Sequence, residues 1–219
     1  MLTQPFFTEI EAVTADARQR LERTTAIERC LNGQVEMQTY QAFLIEAYHH
    51  VKHTVPLLMA CGSRLPVEKE WLRAAIAEYI EEENGHQEWI LNDIKACGGD
   101  PEEYRYGMPN PATELMVAYA YDTIQRGNPV GFFGMVLVLE GTSVQLATHA
   151  AETMRESLNL PISAFSYLSS HGSLDISHMD FFRSLMNRLE DKDDQQAVIH
   201  MANMMYRLYG DVFRSIPLN

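Results

Sequence analysis

Apolar residues recur three or four positions apart along almost the whole chain, and no segment alternates apolar and polar residues as a half-buried strand does. This periodicity predicts helices over residues 9–23, 37–61, 67–97, 112–126, 131–158, 162–171, 175–190 and 195–215. The Gly- and Pro-rich segment 98–111 connects two halves whose apolar stripes need each other for burial. The prediction is therefore an all-α protein with one domain over residues 1–219.

The net charge and the cysteine content indicate which partners the protein can bind and in which compartment it is found. The chain carries 17 Lys and Arg against 30 Asp and Glu, a net charge of −13, which repels phosphate backbones and anionic lipid. Its three cysteines are far apart, and the N-terminus lacks the basic and apolar regions of a signal peptide. No apolar run approaches the ~20 residues of a membrane-spanning helix. We therefore expect a cytoplasmic protein that binds neither nucleic acid nor membranes.

Acidic and histidine side chains interrupt apolar helical sequence at seven positions: Glu46, Glu83, His86, Glu140, His171, Asp175 and His178. The five residues before Glu140 are all apolar, and an unpaired carboxylate in such a place would be costly. Glu83 and His86 are three positions apart, a spacing that puts two side chains on one face of a helix. The last three residues form the pattern H-x3-D-x2-H, which brings three potential metal ligands close together in the sequence.

The order of these residues follows that of a known type of metal site. A carboxylate-bridged di-iron site in a helical bundle takes one Glu from each of two helices and a Glu-x-x-His pair from each of two others. This chain supplies a single Glu, a Glu-x-x-His pair, a second single Glu and an Asp-x-x-His pair. Asp175 stands where the scheme has Glu, and His171 is an additional nitrogen donor. Mixed carboxylate and imidazole ligands suit iron or manganese, whereas a closed structural zinc site favours thiolates.

Each element also has a structural explanation. Glu-x-x-His pairs occur by chance on acidic helices, and Glu140 could pair with a buried arginine instead of a metal. Glu82 could replace Glu83 as a ligand. Within H-x3-D-x2-H, Gly172 could end one helix and Ser173 could begin the next, so the two histidines of that pattern need not face the same point.

Four stretches resemble the heme-oxygenase-like di-iron oxidases, which share their fold with thiaminase II and pyrroloquinoline quinone synthase: YHHVKHTVPLL, EEENGHQEWILNDIKACGGD, NPVGFFGMVLVLEGTS and FSYLSSHGSLDISH. They lie between residues 40 and 178. The last stretch is the most specific, because the His-Asp-His triplet is characteristic of the metal-binding branch. The resemblance implies a heme-oxygenase-like helical bundle in which two irons are held by His171, Asp175, His178, Glu140, Glu83 and His86. Glu46 stands where some members supply a further carboxylate.

The resemblance also implies a function. It indicates an oxidoreductase in which two Fe(II) ions with open coordination positions use O2 to oxidise a small organic molecule. The candidates for the substrate pocket are the aromatic residues Phe132, Phe133, Tyr48 and Tyr167. Among His49, His50 and His53, we expect one to line the cavity and the others to face solvent or bond polar groups. The sequence leaves open an external reductant and a homodimer.

Three other functions remain open at this point. A metal-free enzyme of the same fold, acting on a thiamin-like or quinone-like molecule, would need a thiol nucleophile near a base. None of Cys30, Cys61 and Cys97 has a convincing setting for that role. Iron storage or sensing in a ferritin-like bundle fits less well, because His171 adds a nitrogen donor where storage sites rely on carboxylates. Heme degradation would need a histidine on the first helix, whereas the first histidine of this chain is His49.

Overall fold

The computed structural model describes residues 4–218, except for the side chains of Ser173 and Leu174, so residues 1–3 and 219 of the predicted domain lie outside it. The helices are α1 (Phe6–Glu22), α2 (Thr25–Leu31), α3 (Met37–Val51), α4 (Thr54–Arg64), α5 (Glu70–Glu83), α6 (His86–Ala96), α7 (Pro101–Arg105), α8 (Pro111–Arg126), α9 (Phe133–Leu158), α10 (Ser166–Met186) and α11 (Lys192–Ser215). Short 3₁₀ turns connect several of them. No strand occurs within residues 4–218, and the all-α prediction is confirmed.

Helix α9 lies at the centre of the bundle. It packs along α10 and α11, and α11 in turn packs against α1 and α8. All residues of α9 from Phe133 to Val138 are buried. Together with the turn before it, the segment Pro129–Leu158 is long and apolar enough to cross a membrane by length and composition alone. However, 56% of its most apolar window is buried inside the bundle, which is typical of a core helix.

Two of the predicted helices are interrupted by turns. Residues 67–97 form α5, which ends at Glu83, and α6, which begins at His86. Gly85 between them has a φ of +97°, a backbone conformation that residues with a side chain rarely adopt. The second predicted helix is likewise divided into α3 and α4. The prediction of continuous helices was wrong because apolar periodicity persists across both turns, although Asn84-Gly85 is a typical turn dipeptide.

Helix α10 is continuous where the sequence predicts two helices. Gly172, a candidate helix end, lies within it, and a Cβ atom at this position would collide with the side chain of Thr148 on α9. Glycine is therefore needed for the close approach of α9 and α10 rather than for a turn. The alternative in which Ser173 begins a new helix is wrong, and the Ser173 side chain itself lies outside the described residues. Because α10 is unbroken, the three residues of H-x3-D-x2-H share one helix face.

The start of α10 is held by a buried carboxylate from α6. Asp93 is fully buried and accepts hydrogen bonds from the backbone N–H groups of Ser166 (3.0 Å) and Tyr167 (2.9 Å). These are donors of the first turn, which have no partner within the helix, so Asp93 acts as the cap that the chain before α10 does not supply. No local sequence signal reveals this contact, because 73 residues separate Asp93 from Ser166.

We expect Asp93→Ala to lower the free energy of unfolding by about 2 kcal/mol, or roughly 4–8 °C in melting temperature. Loss of the carboxylate leaves buried N–H groups at the start of α10 without an acceptor. Thermal unfolding of metal-free protein, followed by circular dichroism, measures this effect. Asp93→Asn is the control, since its amide oxygen still accepts a hydrogen bond. Equal stability of Asp93→Ala and the wild type would mean that the cap contributes nothing.

Candidate metal centre

Four helices bring the predicted ligands together inside the bundle. Glu83 ends α5 and His86 begins α6, and across the turn at Gly85 the two remain side by side, with His86 Nδ1 2.9 Å from Glu83 Oε2. Helix α9 contributes Glu140, and α10 contributes the His-Asp-His triplet. A turn thus holds the Glu-x-x-His pair together, where the prediction relied on a continuous helix face.

The ligand atoms form two groups of three, and within each group they lie within 4.8 Å of one another. One group consists of Glu83, His86 and His171, and the other of Glu83, Asp175 and His178. Glu83 belongs to both groups: its Oε2 contacts His86, and its Oε1 lies 3.6 Å from His178 Nδ1. One oxygen of the Glu83 carboxylate therefore lies toward each group of ligand atoms.

Several polar atoms of this cluster are buried without a hydrogen-bond partner in the part of the chain that the structure describes. They are both carboxylate oxygens of Asp175, Oε2 of Glu140, Nε2 of His171 and Nδ1 of His178. Nδ1 of His171 and Nδ1 of His178 each lie 3.5 Å from Asp175 Oδ1, and Glu140 Oε1 lies 3.8 Å from His178 Nδ1, longer than ordinary hydrogen bonds. Each unsatisfied buried group costs about 1–3 kcal/mol. Bound cations would satisfy these atoms, so the donor set fits a metal site.

The electrostatics of the cluster also fit a cation. Burial, and then the neighbouring carboxylates, raise the pKa of Glu140 well above its ordinary value. Burial acts to raise the pKa of Asp175 as well, but the nearby His171 and His178 outweigh burial and hold this pKa below its usual range. The contact with Asp175 raises the pKa of His178. Ionisation of Glu140 is therefore costly without a nearby positive charge, and a divalent cation bound beside this carboxylate would remove that cost.

Glu82, the alternative to Glu83, lies outside both ligand groups. Its side chain is 46% exposed, against 7% for Glu83. Glu82 Oε2 lies 2.9 Å from Nε2 of His178, so it contacts the ring nitrogen opposite the one that faces the cluster. Carboxylates in this position orient metal-binding histidines from the outer shell. The geometry favours Glu83 as the ligand and Glu82 as the residue that orients His178.

Glu46 is not brought to the cluster. Its carboxylate is buried and accepts hydrogen bonds from the backbone N–H of Asn110, at 3.1 Å, and from the hydroxyl of Thr113. These two residues lie at the start of α8, so Glu46 caps that helix in the same way as Asp93 caps α10. A ligand role for Glu46 has no support in this arrangement.

Aromatic rings pack against the imidazoles of the cluster. Trp89 stacks on His86 with ring centroids 4.0 Å apart, and Tyr167 lies 4.8 Å from His171. Such contacts fix the ring planes and thereby the direction of the nitrogen lone pairs. Trp89 is a functional residue missed from the sequence, although it follows His86 by three residues on α6, a spacing that predicts contact.

A cavity adjoins the cluster and reaches Glu83, Glu140, His171 and Asp175. Its lining contains two of the four aromatic residues predicted for the substrate pocket, Phe132 and Tyr167. The other two, Phe133 and Tyr48, are buried in the core and are not among the described residues that line the cavity.

The three histidines at the end of α3 have different environments. His50 lines the cavity, and burial lowers its pKa to about 4, so it is neutral at physiological pH. Lys52 donates a hydrogen bond to Nδ1 of His49 at 3.0 Å, and Nδ1 of His53 lies 3.1 Å from the hydroxyl of Tyr121. One histidine at the cavity and two bonded to polar groups is the distribution predicted from the sequence.

Comparison with known protein families identifies the family of this chain. Residues 41–210 match the family model described as iron-containing redox enzyme. The chain belongs to this family. The matched range contains all seven residues predicted as ligands, from Glu46 to His178. No curated protein sequence matches the chain.

Solved structures show the fold of this chain. A domain of unknown function with a heme oxygenase-like fold from Shewanella denitrificans OS217 has a TM-score of 0.85 and 22% identity, over 99% of this chain and 93% of that one. A TenA homolog from Pseudomonas syringae pv. tomato has a TM-score of 0.79 and 10% identity, over 95% and 91%. Heme oxygenase-1 from Synechocystis sp. PCC6803, in complex with heme, has a TM-score of 0.74 and 12% identity, over 96% and 91%. At these identities the likeness establishes the heme oxygenase-like fold and nothing further.

We expect Glu140→Gln to stabilise the metal-free protein at neutral pH by about 1–2 kcal/mol, or roughly 2–8 °C, because burial and the neighbouring carboxylates disfavour the ionised carboxylate and an amide carries no charge. The same substitution should weaken iron binding, so the increase in melting temperature caused by Fe(II) becomes smaller. Anaerobic thermal unfolding with and without Fe(II) measures both effects. A lower melting temperature of the metal-free variant would contradict the idea that Glu140 is kept for metal binding at the expense of stability.

Proposed function

We propose that this iron-containing redox enzyme is a non-heme di-iron oxidase or oxygenase that uses O2 to oxidise a small organic molecule. The main support for the proposal is that Glu83 belongs to both groups of ligand atoms. Glu83, His86 and His171 would hold one iron, and Glu83, Asp175 and His178 would hold the other. Glu140 lies beside the second group and would add a carboxylate.

The remaining parts of the site have roles that follow from their chemistry. Two Fe(II) ions, when bound, would supply the electrons that reduce O2. Each group offers three donor residues, which leaves coordination positions for exogenous ligands. Glu82 orients His178 through Nε2, and Trp89 fixes the ring of His86. The burial of Glu83, His86, Asp175 and His178 limits the access of water to these ligands.

A metal-free, thiol-based reaction has less support. Cys30 is the one cysteine among the described residues that line the cavity, and burial raises its pKa to about 11. Burial likewise raises the pKa of Cys97 to about 11 and that of Cys61 to about 12. A thiol needs a lowered pKa to act as a nucleophile near neutral pH. Iron storage also has less support, because two of the three donors in the first group are histidine nitrogens.

Oxygen uptake by anaerobically loaded protein tests the proposal and separates it from storage. We expect O2 uptake to rise with added Fe(II) and to saturate at about two irons per chain, at a rate well above that of free Fe(II). Zinc-loaded protein is the control, since Zn²⁺ has no redox chemistry. Uptake that keeps rising with tens of irons per chain would indicate storage. A rate equal to that of free Fe(II) would exclude an oxidase.

A further inference from the structure

The cavity beside the cluster is elongated along α9. Its lining includes a single stripe of that helix, at intervals of three or four residues, from Met135 through Leu139, Ser143 and Ala147 to Met154. With a rise of 1.5 Å per residue, this stripe is about 30 Å long. A compact pocket would contact only one or two turns of α9.

The cluster lies part of the way along this cavity, and apolar residues continue on both sides of Glu140. On one side, Met135 lies with Leu57 and Leu58 of α4, and the contact of Cys61 Sγ with the carbonyl of Pro129 (3.2 Å) places α4 at the N-terminal end of α9. We call this side the α4 arm.

The other side, which we call the α2 arm, is lined by Ile27 and Leu31 of α2 and by Ala150 and Met154 of α9. Helix α2 lies at the C-terminal end of α9, because Gly33, just beyond α2, is packed against Ser157. The two arms therefore extend in opposite directions from the cluster.

The chemistry of the lining restricts what can occupy these arms. Neither Lys nor Arg is among the lining residues that the structure describes, and the ionisable carboxylates of the lining all belong to the cluster. A charged group in either arm would lose its hydration without gaining a partner. The cavity is also elongated, so an occupant that reaches both arms must be an extended chain.

We propose that the cavity binds an unbranched hydrocarbon chain that passes the metal cluster, with interior carbons rather than a chain end beside Glu140 and with no charged group in either arm. The reaction of the bound hydrocarbon rests on the proposed function, whereas the binding of the hydrocarbon does not. Hydrocarbon carbons in both arms would gain the full benefit of apolar burial.

Binding of a homologous series tests the inference. The probes are n-alkan-1-ols of 6 to 14 carbons and the corresponding n-alkanoates, titrated calorimetrically into anaerobic Fe(II)-loaded protein. We expect the affinity for the alcohols to rise about fourfold per added methylene through the whole series. The alkanoates should bind more weakly than the alcohols of equal length. A plateau by about eight carbons, or tighter binding of the alkanoates, would overturn the inference.

Two variants test whether both arms are used. Ala150→Phe fills part of the α2 arm and Val136→Phe part of the α4 arm, since both positions line the cavity. In each variant the affinity should stop rising at a shorter chain length than in the wild type. The smaller side chain of Ala150→Leu should reduce this limiting length less than Ala150→Phe does. Ala12→Phe, on the exposed face of α1, is the control for an added ring and should leave the series unchanged. An effect of only one arm's variant would contradict a chain that passes the cluster.

Iron content distinguishes a failure of this inference from a failure of the proposed function. Each variant is first shown to be helical and to bind as much iron as the wild type. If the wild type binds the alcohol series but no stoichiometric iron, the substrate class stands and the di-iron proposal fails. If iron binds but the alcohol series does not, the hydrocarbon-chain inference fails alone.

Discussion

Glu83→Gln is expected to bind no iron at stoichiometric level, although it changes one atom of one side chain. Glu83 is the residue common to both ligand groups, and its two oxygens face different groups. Glutamine keeps the volume but replaces one oxygen with an amide NH2, which has no lone pair to offer a metal and carries no charge. Both metal positions should therefore be lost together, not one of them. Iron analysis after anaerobic Fe(II) loading and gel filtration measures the result.

Two neighbouring carboxylates provide matched controls for this substitution. Glu82→Gln should retain both irons, with at most a tenfold to hundredfold loss of affinity, because Glu82 contacts the outer nitrogen of His178. Glu46→Gln should also retain both irons and should instead lower the melting temperature, because it weakens the cap of α8. Retention of two irons by Glu83→Gln, together with their loss in either control, would show that the ligands are assigned wrongly.

His171→Ala and His178→Ala should each abolish O2 uptake while the protein remains helical. The two histidines belong to different groups, so each substitution leaves one iron position with only two donor residues. Loss of a direct ligand should weaken iron binding by at least about a hundredfold, the upper end of what outer-shell changes cause. The reaction should stop in both variants, since we assign the reduction of O2 to the pair of irons and not to one of them.

The control for these variants is His149→Ala, an exposed position on α9 that lies outside both ligand groups. It should leave iron content and O2 uptake unchanged. Far-ultraviolet circular dichroism checks that each variant is folded. Full O2 uptake by both His171→Ala and His178→Ala would rule out the di-iron mechanism.

The sequence predicts the helical class and the candidate ligands because both depend on local patterns. Periodicity gives the helices, and a carboxylate after five apolar residues is unusual enough to identify Glu140. The same periodicity gave a wrong prediction at Gly85, because the spacing of apolar residues continues across a turn that ends the helix. There the dipeptide Asn84-Gly85 was the available signal.

Contacts between distant segments could not be predicted in this way. In the sequence, Glu46 has the setting of a buried ligand. In the structure its carboxylate accepts hydrogen bonds from Asn110 and Thr113 at the start of α8, 64 and 67 residues away, and so acts as a cap. Asp93 has no unusual setting, yet it holds the start of the helix that carries the His-Asp-His triplet. A buried carboxylate has the same local signature in both roles, and only the fold shows which partner it has.

Gly172 illustrates a different limit. A glycine between two stretches of helical pattern predicts a helix end, but here it lies inside α10 where that helix passes close to Thr148 of α9. Close packing and a turn both require the absence of a side chain, so the residue type does not distinguish them. The outcome matters for the site, because an unbroken α10 places the triplet on one face.

The number of irons per chain is the most direct test of this account. Protein loaded anaerobically with excess Fe(II) and freed of unbound metal by gel filtration is analysed by inductively coupled plasma mass spectrometry. We predict about two irons per chain in the wild type and essentially none in Glu83→Gln, as expected for a carboxylate shared by two metal positions. A single iron per wild-type chain, or two irons that remain in Glu83→Gln, would contradict a di-iron centre built on Glu83.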